Sequence, residues 1–262
     1  MTAAAPPPRV AAFFDFDRTL LHGDAGVIFG WSLIEWGYEQ GKRFPMGSRE
    51  LRDHNLEITW NAAQTIAKGS AYKALNALGI LKRSKLVELT YTFLEGFPAT
   101  EMSGQMERVW NERLRERLYP RMMEILDEHR KAGHRIVIVS TGMRELIEHS
   151  RKALGEDVEV IGVEMRVREG RYNGEVEGPL YGVHKARAVR DYAKKNGIDL
   201  ASSYAYSDHY SDAAFLAAVG HPVCVNPAMR LRLLAKKRGW GVMHVLPPAQ
   251  FADEPLPADE KD

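Results

Sequence analysis

Short β-rich runs alternate with amphipathic segments along most of the chain. Five of these runs are mostly or continuously apolar: VAAFFDFD (10–17), HRIVIVS (134–140), VEVIGVEM (158–165), SSYAYSD (202–208) and HPVCVN (221–226). Runs of this kind are typical of strands that are covered on both faces, as in a parallel sheet. The pattern therefore favours a sheet that is buried between layers of helix.

The segments that separate or follow these runs have the apolar spacing of helices, and each ends at a glycine suited to a helix C-terminus. They are RMMEILDEHRKAG, MRELIEHSRKALG, VHKARAVRDYAKKNG and PAMRLRLLAKKRG. Repeated strand–helix–strand order predicts an α/β fold with a doubly wound, Rossmann-like parallel sheet. The stretch EMRVREGRYNGEVEG interrupts this order and predicts a small antiparallel excursion around EGRYNG.

The segment 23–117 differs from the rest of the chain. It has helical periodicity, no convincing strand, and many large aromatic residues, among them four of the five tryptophans. Its place after the first strand predicts an inserted α-helical cap domain, with an α/β core made of residues 9–22 and 118–246. The ends, 1–8 and 247–262, are rich in Pro, Ala and acidic residues, and we predict them to be disordered tails.

Charge and composition exclude several classes of function. The 36 basic and 35 acidic residues are interspersed, so we expect no basic field that attracts nucleic acid or anionic lipid. Cys224 is the only cysteine, which excludes an internal disulfide and a thiolate metal cluster and fits a reducing compartment. The start MTAAAPPPR lacks the apolar core of a signal peptide, and no apolar run is long enough for an integral membrane segment. We therefore expect a cytoplasmic protein, and the sequence indicates no oligomeric state.

Polar residues follow three of the predicted strands where each strand ends. They are Asp15, Asp17 and Thr19 after the first strand, Ser140 and Thr141 after the second, and Asp208 and Asp212 after the fourth. Open α/β sheets bind ligands beyond the carboxyl ends of their strands, so we expect these side chains to converge. Converging carboxylates repel each other unless a hard cation lies among them, and oxygen-only ligands favour Mg²⁺. A cation with hydroxyl groups and a lysine suits phosphoryl transfer.

Four motifs in order resemble those of the haloacid dehalogenase superfamily: DFDRT, IVIVSTG, Lys185 in GVHKAR, and SDHYSD. The position of the cap and the segment VNPAMRLRLLAKKRGW resemble the phosphoserine phosphatase-like branch, subfamily IB. The resemblance covers residues 9–246. It implies a phosphatase or a phosphomutase, because the dehalogenases and ion-pumping ATPases of the superfamily lack an aspartate at the position of Asp17.

The resemblance also implies a catalytic role for three residues. Asp15 is the expected nucleophile, which attacks phosphorus to give an aspartyl-phosphate. Asp17 is expected to give a proton to the leaving alcohol and then to take one from the attacking water. Lys185 is expected to act as a fixed positive charge on the transferring group and on Asp15.

The ligands of phosphate and metal follow from the same resemblance. Three hydroxyl-bearing residues are expected to bind the phosphoryl oxygens: Thr19, Ser140 and Thr141. Four positions are expected to hold Mg²⁺: Asp15, Asp17 through its backbone carbonyl, Asp208, and Asp212 either directly or through water.

A small-molecule phosphomonoester is the expected substrate, with phosphoserine as one candidate. Asp24 is placed like the acidic contact of the family to the phosphoserine ammonium group, and Arg49 or Arg52 is the expected contact to its carboxylate. His209 stands where relatives commonly have a small residue, so we expect it to crowd the phosphate site or to contact the substrate. Ala228 stands where relatives frequently have an acidic residue, so we expect the helix that follows it to lack a side-chain cap.

Three alternatives stay open at this point. The long aromatic cap also suits a bulkier or lipid-precursor phosphate. The aspartyl-phosphate also allows a phosphotransferase or phosphomutase that uses an acceptor other than water. A non-catalytic binding protein with the same fold is the third, and the intact set of Asp15, Asp17, Lys185 and Asp208 argues against it.

Overall fold

A computed structural model describes residues 9–43, 91–178 and 182–254. Within these residues, seven strands form one sheet in the order β4-β3-β2-β1-β5-β6-β7. The strands are β1 (Ala11–Phe14), β2 (Arg135–Met143), β3 (Glu159–Arg168), β4 (Arg171–Glu177), β5 (Tyr204–Ser207), β6 (His221–Val225) and β7 (Gly241–Met243). Neighbouring strands are parallel except β3 and β4, which form the predicted antiparallel excursion. The predicted α/β fold with a parallel sheet is confirmed.

The strand order reverses at β1, in the middle of the sheet. The chain adds β2, β3 and β4 on one side of β1 and then crosses to add β5, β6 and β7 on the other side. Phe14 at the end of β1 pairs with Ile138 of β2 and Tyr206 of β5. Residues that follow these three positions therefore emerge at one edge, in the crevice where open α/β sheets bind ligands.

Helices and helical turns fill most of the remaining described chain. The α-helices are α1 (Ala25–Arg43), α2 (Ala99–Val109), α3 (Pro120–Lys131), α4 (Arg144–Glu148), α5 (Arg151–Leu154), α6 (Val183–Asn196), α7 (Ala213–Leu216) and α8 (Met229–Arg238). A π-helical turn covers Trp110–Leu114, and 3₁₀ turns cover Thr92–Leu94, Arg115–Arg117, Tyr210–Asp212 and Ala249–Phe251. In the described ranges, no helix has both the length and the apolar character needed to cross a bilayer.

Strand β1 is apolar throughout because helices cover both of its faces. Phe13 packs in a cluster with Val189 of α6 and Leu231 of α8. Phe14 points to the other face and packs in a cluster with Met122 of α3. Both phenylalanines are fully buried, which explains why the run has no polar alternation.

The predicted terminal glycines end two of the core helices as expected. Gly197 after α6 and Gly239 after α8 have φ of +65° and +67°, the left-handed conformation in which glycine ends a helix. Ala228 precedes α8 and makes no side-chain cap hydrogen bond, as expected. The segment 143–155 forms two short helices, because a tight turn with a 2.8 Å hydrogen bond from the N–H of Ser150 to the carbonyl of Ile147 separates them.

The described parts of the segment predicted as a cap, 23–43 and 91–117, are largely helical. Where the chain enters and leaves this segment, the N–H of His22 donates to the carbonyl of Arg117 at 2.7 Å. Three further backbone hydrogen bonds of 2.8–3.0 Å join residues 96–99 to the β3–β4 hairpin. These contacts attach the segment to the sheet at two places. Its status as a separate domain stays a prediction.

The chain after residue 246, which we predict to be a disordered tail, packs against the core as far as residue 254. The ring of Phe251 stacks on His22 with 6.4 Å between centroids. The guanidinium of Arg117 lies 4.1 Å from the centroid of Phe251 and donates to Glu254. The composition of the segment does not reveal these contacts, because only one aromatic and one acidic residue, set among Pro and Ala, make them.

Candidate active site

Asp15 and Asp17 lie immediately beyond β1, at the point where the strand order reverses. The N–H of Asp15 donates to the carbonyl of Tyr206 at 2.9 Å, so pairing with β5 extends one residue past the strand. The chain then turns sharply: Arg18 has a φ of +59°, and the N–H of Leu20 donates back to the carbonyl of Phe16 at 2.9 Å. This turn keeps the side chains of residues 15–19 at the sheet edge.

A buried lysine joins the first and the last carboxylate of the motifs. The ammonium of Lys185, on α6, lies 2.7 Å from Oδ1 of Asp15 and 2.6 Å from Oδ2 of Asp212, and this side chain is only 2 % exposed. Burial lowers the pKa of Lys185, but the two carboxylates outweigh burial and raise it overall. Burial raises the pKa of Asp15 well above its usual range, Lys185 opposes this, and Asp212 and Asp208 add to it.

Ser207, the last residue of β5, is a member of this cluster that the sequence did not single out. Its side chain is fully buried, and its Oγ lies 2.8 Å from Oδ2 of Asp212 and 3.3 Å from Oδ2 of Asp15. A hydroxyl carries one proton, so it donates to one carboxylate at a time, and the shorter contact favours Asp212. Its position directly before Asp208 was the available signal.

Asp208 also lies in this cluster and contacts the turn after β1. The hydroxyl of Thr19 donates to Oδ1 of Asp208 at 3.4 Å, and Nε of Arg18 lies 3.5 Å from Oδ2. Burial raises the pKa of Asp208 to about 6, and Arg18 limits the rise. Arg18 is a second residue that the sequence did not single out. Its signal was its place inside DFDRT, between two residues that were predicted to bind ligands.

Ser140 and Thr141 reach the same edge from β2. The N–H of Gly142 donates to Oγ of Ser140 at 2.9 Å, so the hydroxyl proton of Ser140 remains available for a ligand. A methyl group at Gly142 would lie 3.1 Å from Oγ of Ser140 and 3.7 Å from Oδ2 of Asp17, which places these two side chains around one point. The carbonyl of Thr141 accepts a hydrogen bond from the hydroxyl of Tyr91.

Asp17 is a further aspartate of the site whose pKa is raised. Its Oδ1 accepts the N–H of Ala25 at 2.7 Å. Burial raises the pKa of Asp17 to about 8, and the nearby carboxylate of Asp24 contributes to the rise. A carboxyl group with this pKa holds a proton at neutral pH and can donate it.

Residues 12–217 match a family model described as haloacid dehalogenase-like hydrolase. The chain belongs to this family. The inhibition of morphological differentiation protein of Streptomyces azureus is 31% identical over 237 residues, which cover 90% of this chain and 78% of that protein. Phosphoserine phosphatase SerB1 of Mycobacterium tuberculosis is 29% identical over 233 residues, which cover 88% of this chain and 70% of that protein.

A solved structure of phosphoserine phosphatase, determined as a phospho-aspartyl intermediate analogue, has the same fold. It matches this hydrolase with a TM-score of 0.58 at 16% sequence identity, over 90% of this chain and 92% of that one. The resemblance to phosphoserine phosphatase-like members of the haloacid dehalogenase superfamily is therefore confirmed.

Of the four residues expected to contact the substrate, the structure describes Asp24 and His209. Oδ1 of Asp24 accepts the N–H of Val27 at 3.0 Å, so this carboxylate caps α1. Arg49 and Arg52 lie outside the described residues. The ring of His209 is buried and turned into its own loop, where Nδ1 accepts the N–H of Ser211 at 3.1 Å.

The carboxylates of this hydrolase fit a hard divalent cation by their chemistry. Four aspartates face two cations, Lys185 and Arg18, and the pKa of Asp15 and of Asp208 is raised by burial. All these donors are oxygen atoms, the ligands that Mg²⁺ prefers. Among the described residues, no three His, Cys, Asp or Glu side chains already enclose a single point.

Proposed function

We propose that this hydrolase is a Mg²⁺-dependent phosphatase that cleaves a small-molecule phosphomonoester through an aspartyl-phosphate on Asp15. The observation that carries the proposal is the buried ammonium of Lys185 between Asp15 and Asp212, beside the raised pKa of Asp17. This arrangement supplies a fixed carboxylate, a fixed positive charge and an acid at one sheet edge. Phosphoserine is the first substrate to test, because the similar SerB1 protein is named a phosphoserine phosphatase.

In the first step a carboxylate oxygen of Asp15 attacks phosphorus, and the bond from phosphorus to the ester oxygen breaks. The departing oxygen takes the proton that Asp17 holds, so a neutral alcohol leaves. The hydrogen bonds to the ammonium of Lys185 and to the N–H of Phe16, at 2.7 and 2.8 Å, hold Oδ1 of Asp15 and orient its carboxylate for attack.

In the second step a water molecule attacks the phosphorus of the aspartyl-phosphate and gives a proton to the carboxylate of Asp17. The bond from phosphorus to Asp15 breaks, inorganic phosphate leaves, and both aspartates return to their starting forms. The free hydroxyl proton of Ser140, with Thr19 and Thr141, provides donors for the phosphoryl oxygens. Asp212 and Ser207 hold Lys185 in place through both steps.

In this proposal Asp15, the carbonyl of Asp17 and Asp208 would hold Mg²⁺, and Asp212 would hold it directly or through water. The ion supplies positive charge that reduces the repulsion between the carboxylate nucleophile and the phosphate dianion. The cost of gathering three buried carboxylates, Asp15, Asp208 and Asp212, at one edge supports this assignment, because buried negative charges need a compensating cation.

The test is release of inorganic phosphate from a panel of phosphomonoesters that includes phosphoserine, with Mg²⁺ and with a chelator. We expect Mg²⁺-dependent release that Asp15→Asn abolishes, because an amide oxygen is a poor nucleophile. Asp253→Asn, which changes an exposed aspartate, is the matched control and should retain full activity.

Release that survives Asp15→Asn would contradict the aspartyl-phosphate. Substrate consumption that yields a new phosphate ester with an added alcohol, in place of inorganic phosphate, would indicate a phosphotransferase instead.

A further inference from the structure

The near-equal totals of acidic and basic residues hide a segregation of charge. Residues 213–252 contain no Asp or Glu, whereas α8 alone carries Arg230, Arg232, Lys236, Lys237 and Arg238. This part of the chain comprises α7, β6, α8 and β7, at one edge of the sheet. The expectation that charges are interspersed is therefore wrong for this edge.

Helix α8 has apolar side chains on two opposite sides. Leu231 and Ala235 are fully buried against the sheet. Met229 and Leu233 are 61% and 60% exposed, and their spacing of four residues places them together on the side that faces away from the core. A helix that only covers the sheet needs no apolar residues on its outer side.

Basic side chains flank the exposed apolar pair. At 3.6 residues per turn, Arg232 and Lys236 lie on one side of Met229 and Leu233, and Lys237 lies on the other. All three basic residues are exposed. In the described ranges, none of them has a carboxylate within ion-pair distance. Their charges are therefore not neutralised by described acidic residues of the protein.

We propose that α8 docks the protein on the surface of membranes that contain anionic lipids. The exposed side of α8 offers the two kinds of side chain that an interfacial helix uses: apolar ones that enter the boundary between headgroups and acyl chains, and cations that contact lipid phosphates. A nucleic acid would satisfy the cations, but it offers no apolar phase for Met229 and Leu233. The pair of aliphatic residues at the centre of the basic face therefore favours lipid.

Docking through α8 places the candidate active site close to the lipid surface. The guanidinium of Arg230, in the first turn of α8, lies 4.0 Å from the ring centroid of Tyr210. Tyr210 belongs to the loop that connects Asp208 to Asp212. The docking surface and the loop of the site are therefore direct neighbours.

The experiment is co-sedimentation of the full chain with vesicles of phosphatidylcholine, with and without phosphatidylglycerol. We expect binding only to the anionic vesicles. Replacing two surface cations, Lys236→Gln with Lys237→Gln, should weaken binding roughly 30-fold, since each basic residue near an anionic surface contributes about five-fold. The matched control is Lys194→Gln with Lys195→Gln, which removes the same charge from exposed residues of α6 and should bind like the parent. Equal weakening by the two pairs, or no binding to anionic vesicles, would overturn the proposal.

A second variant separates lipid from other polyanions. Met229→Gln with Leu233→Gln should weaken vesicle binding and leave any binding to single-stranded RNA unchanged, because the variant loses the side chains that enter a bilayer and keeps the cations that contact phosphates. A fluorophore on Leu233→Cys should shift to the blue with anionic vesicles, and the native Cys224 is buried and does not compete for the label. Binding to RNA that equals or exceeds vesicle binding would assign the surface to nucleic acid. None of these readouts uses turnover, so they stand apart from the proposed phosphatase activity.

Discussion

At the scale of single residues, the candidate site depends on charges that compensate one another inside the protein. Lys185 is nearly inaccessible to solvent and contacts two carboxylates. Removing one member of a buried ion pair leaves an uncompensated charge and typically costs about 3–5 kcal/mol. The lysine therefore contributes to folding as well as to the proposed chemistry.

Lys185→Met keeps the length of the side chain and removes its charge. We expect the free energy of unfolding at pH 7 to fall by about 3–5 kcal/mol, because Asp15 and Asp212 lose their shared partner. Urea denaturation monitored by circular dichroism measures this loss. Lys194→Met, on the exposed face of the same helix, should change the stability by no more than about 0.5 kcal/mol. Equal stability of the two variants would show that Lys185 does not neutralise the pair.

Most of the residues that the structure brings to the site were visible in the sequence, because each follows the end of an apolar run. The rule that the carboxyl ends of parallel strands meet was enough to predict the convergence of four aspartates: Asp15, Asp17, Asp208 and Asp212. Ser207 was not singled out although it directly precedes Asp208, because its role arises from contacts with Asp212 in the following turn and with Asp15 just after the neighbouring strand.

At the scale of elements, long or well-bounded segments were predictable and short ones were not. Helix α6 has both apolar spacing and a terminal glycine, and its observed bounds match the predicted segment. Strand β7 has three residues, Gly241–Met243, which is too few for an apolar or alternating pattern. Its pairing with β6 depends on the position to which α8 returns the chain.

A histidine cluster between α3 and the sheet predicts a dependence of stability on pH. His129 on α3 is buried, with Nδ1 2.8 Å from Nδ1 of His134 and Nε2 2.8 Å from the hydroxyl of Tyr206. Burial lowers the pKa of His129 from 6.5 to about 4, His134 lowers it further, and Glu128 opposes this. Because the unfolded chain takes up this proton first, His129 should destabilise the fold progressively as the pH falls from 6.5 towards 4.

His129→Phe keeps a ring in place and removes the titration. The variant should be less stable than the parent at pH 7.5, since Tyr206 and His134 lose a partner, but its disadvantage should shrink by a few kcal/mol by pH 4.5. Urea denaturation across this pH range gives the difference in free energy of unfolding between variant and parent. The buried carboxylates are present in both proteins, so their contribution cancels in this difference. His244→Gln, which replaces an exposed histidine, is the control, and its free energy of unfolding should change with pH as that of the parent does. If the free energies of unfolding of His129→Phe and the parent differed by the same amount at every pH, the lowered pKa of His129 would be refuted.

At the scale of the whole molecule, β1 joins the two halves of the core to the site. Phe13 belongs to the cluster under α6 and α8, Phe14 belongs to the cluster under α3, and Asp15 follows directly. A ligand that binds these carboxylates therefore binds next to β1, the strand whose side chains pack in both hydrophobic clusters. Binding there should therefore be measurable as global stability, since a ligand that prefers the folded state stabilises it by mass action.

Mg²⁺ should raise the melting temperature of the parent protein relative to a chelator. At a concentration about 100-fold above the dissociation constant, the gain is about 2.7 kcal/mol, or roughly 5–10 °C for a chain of this size. Asp208→Asn should abolish the shift, because it removes a proposed ligand. In the chelator it should melt no lower than the parent, because burial raises the pKa of Asp208 to about 6, so the ionised form present at neutral pH costs folding free energy that a neutral amide does not. Asp253→Asn should keep the shift of the parent. An equal Mg²⁺ shift in Asp208→Asn and the parent would place the ion elsewhere and remove the physical reason for gathering these carboxylates at one edge of the sheet.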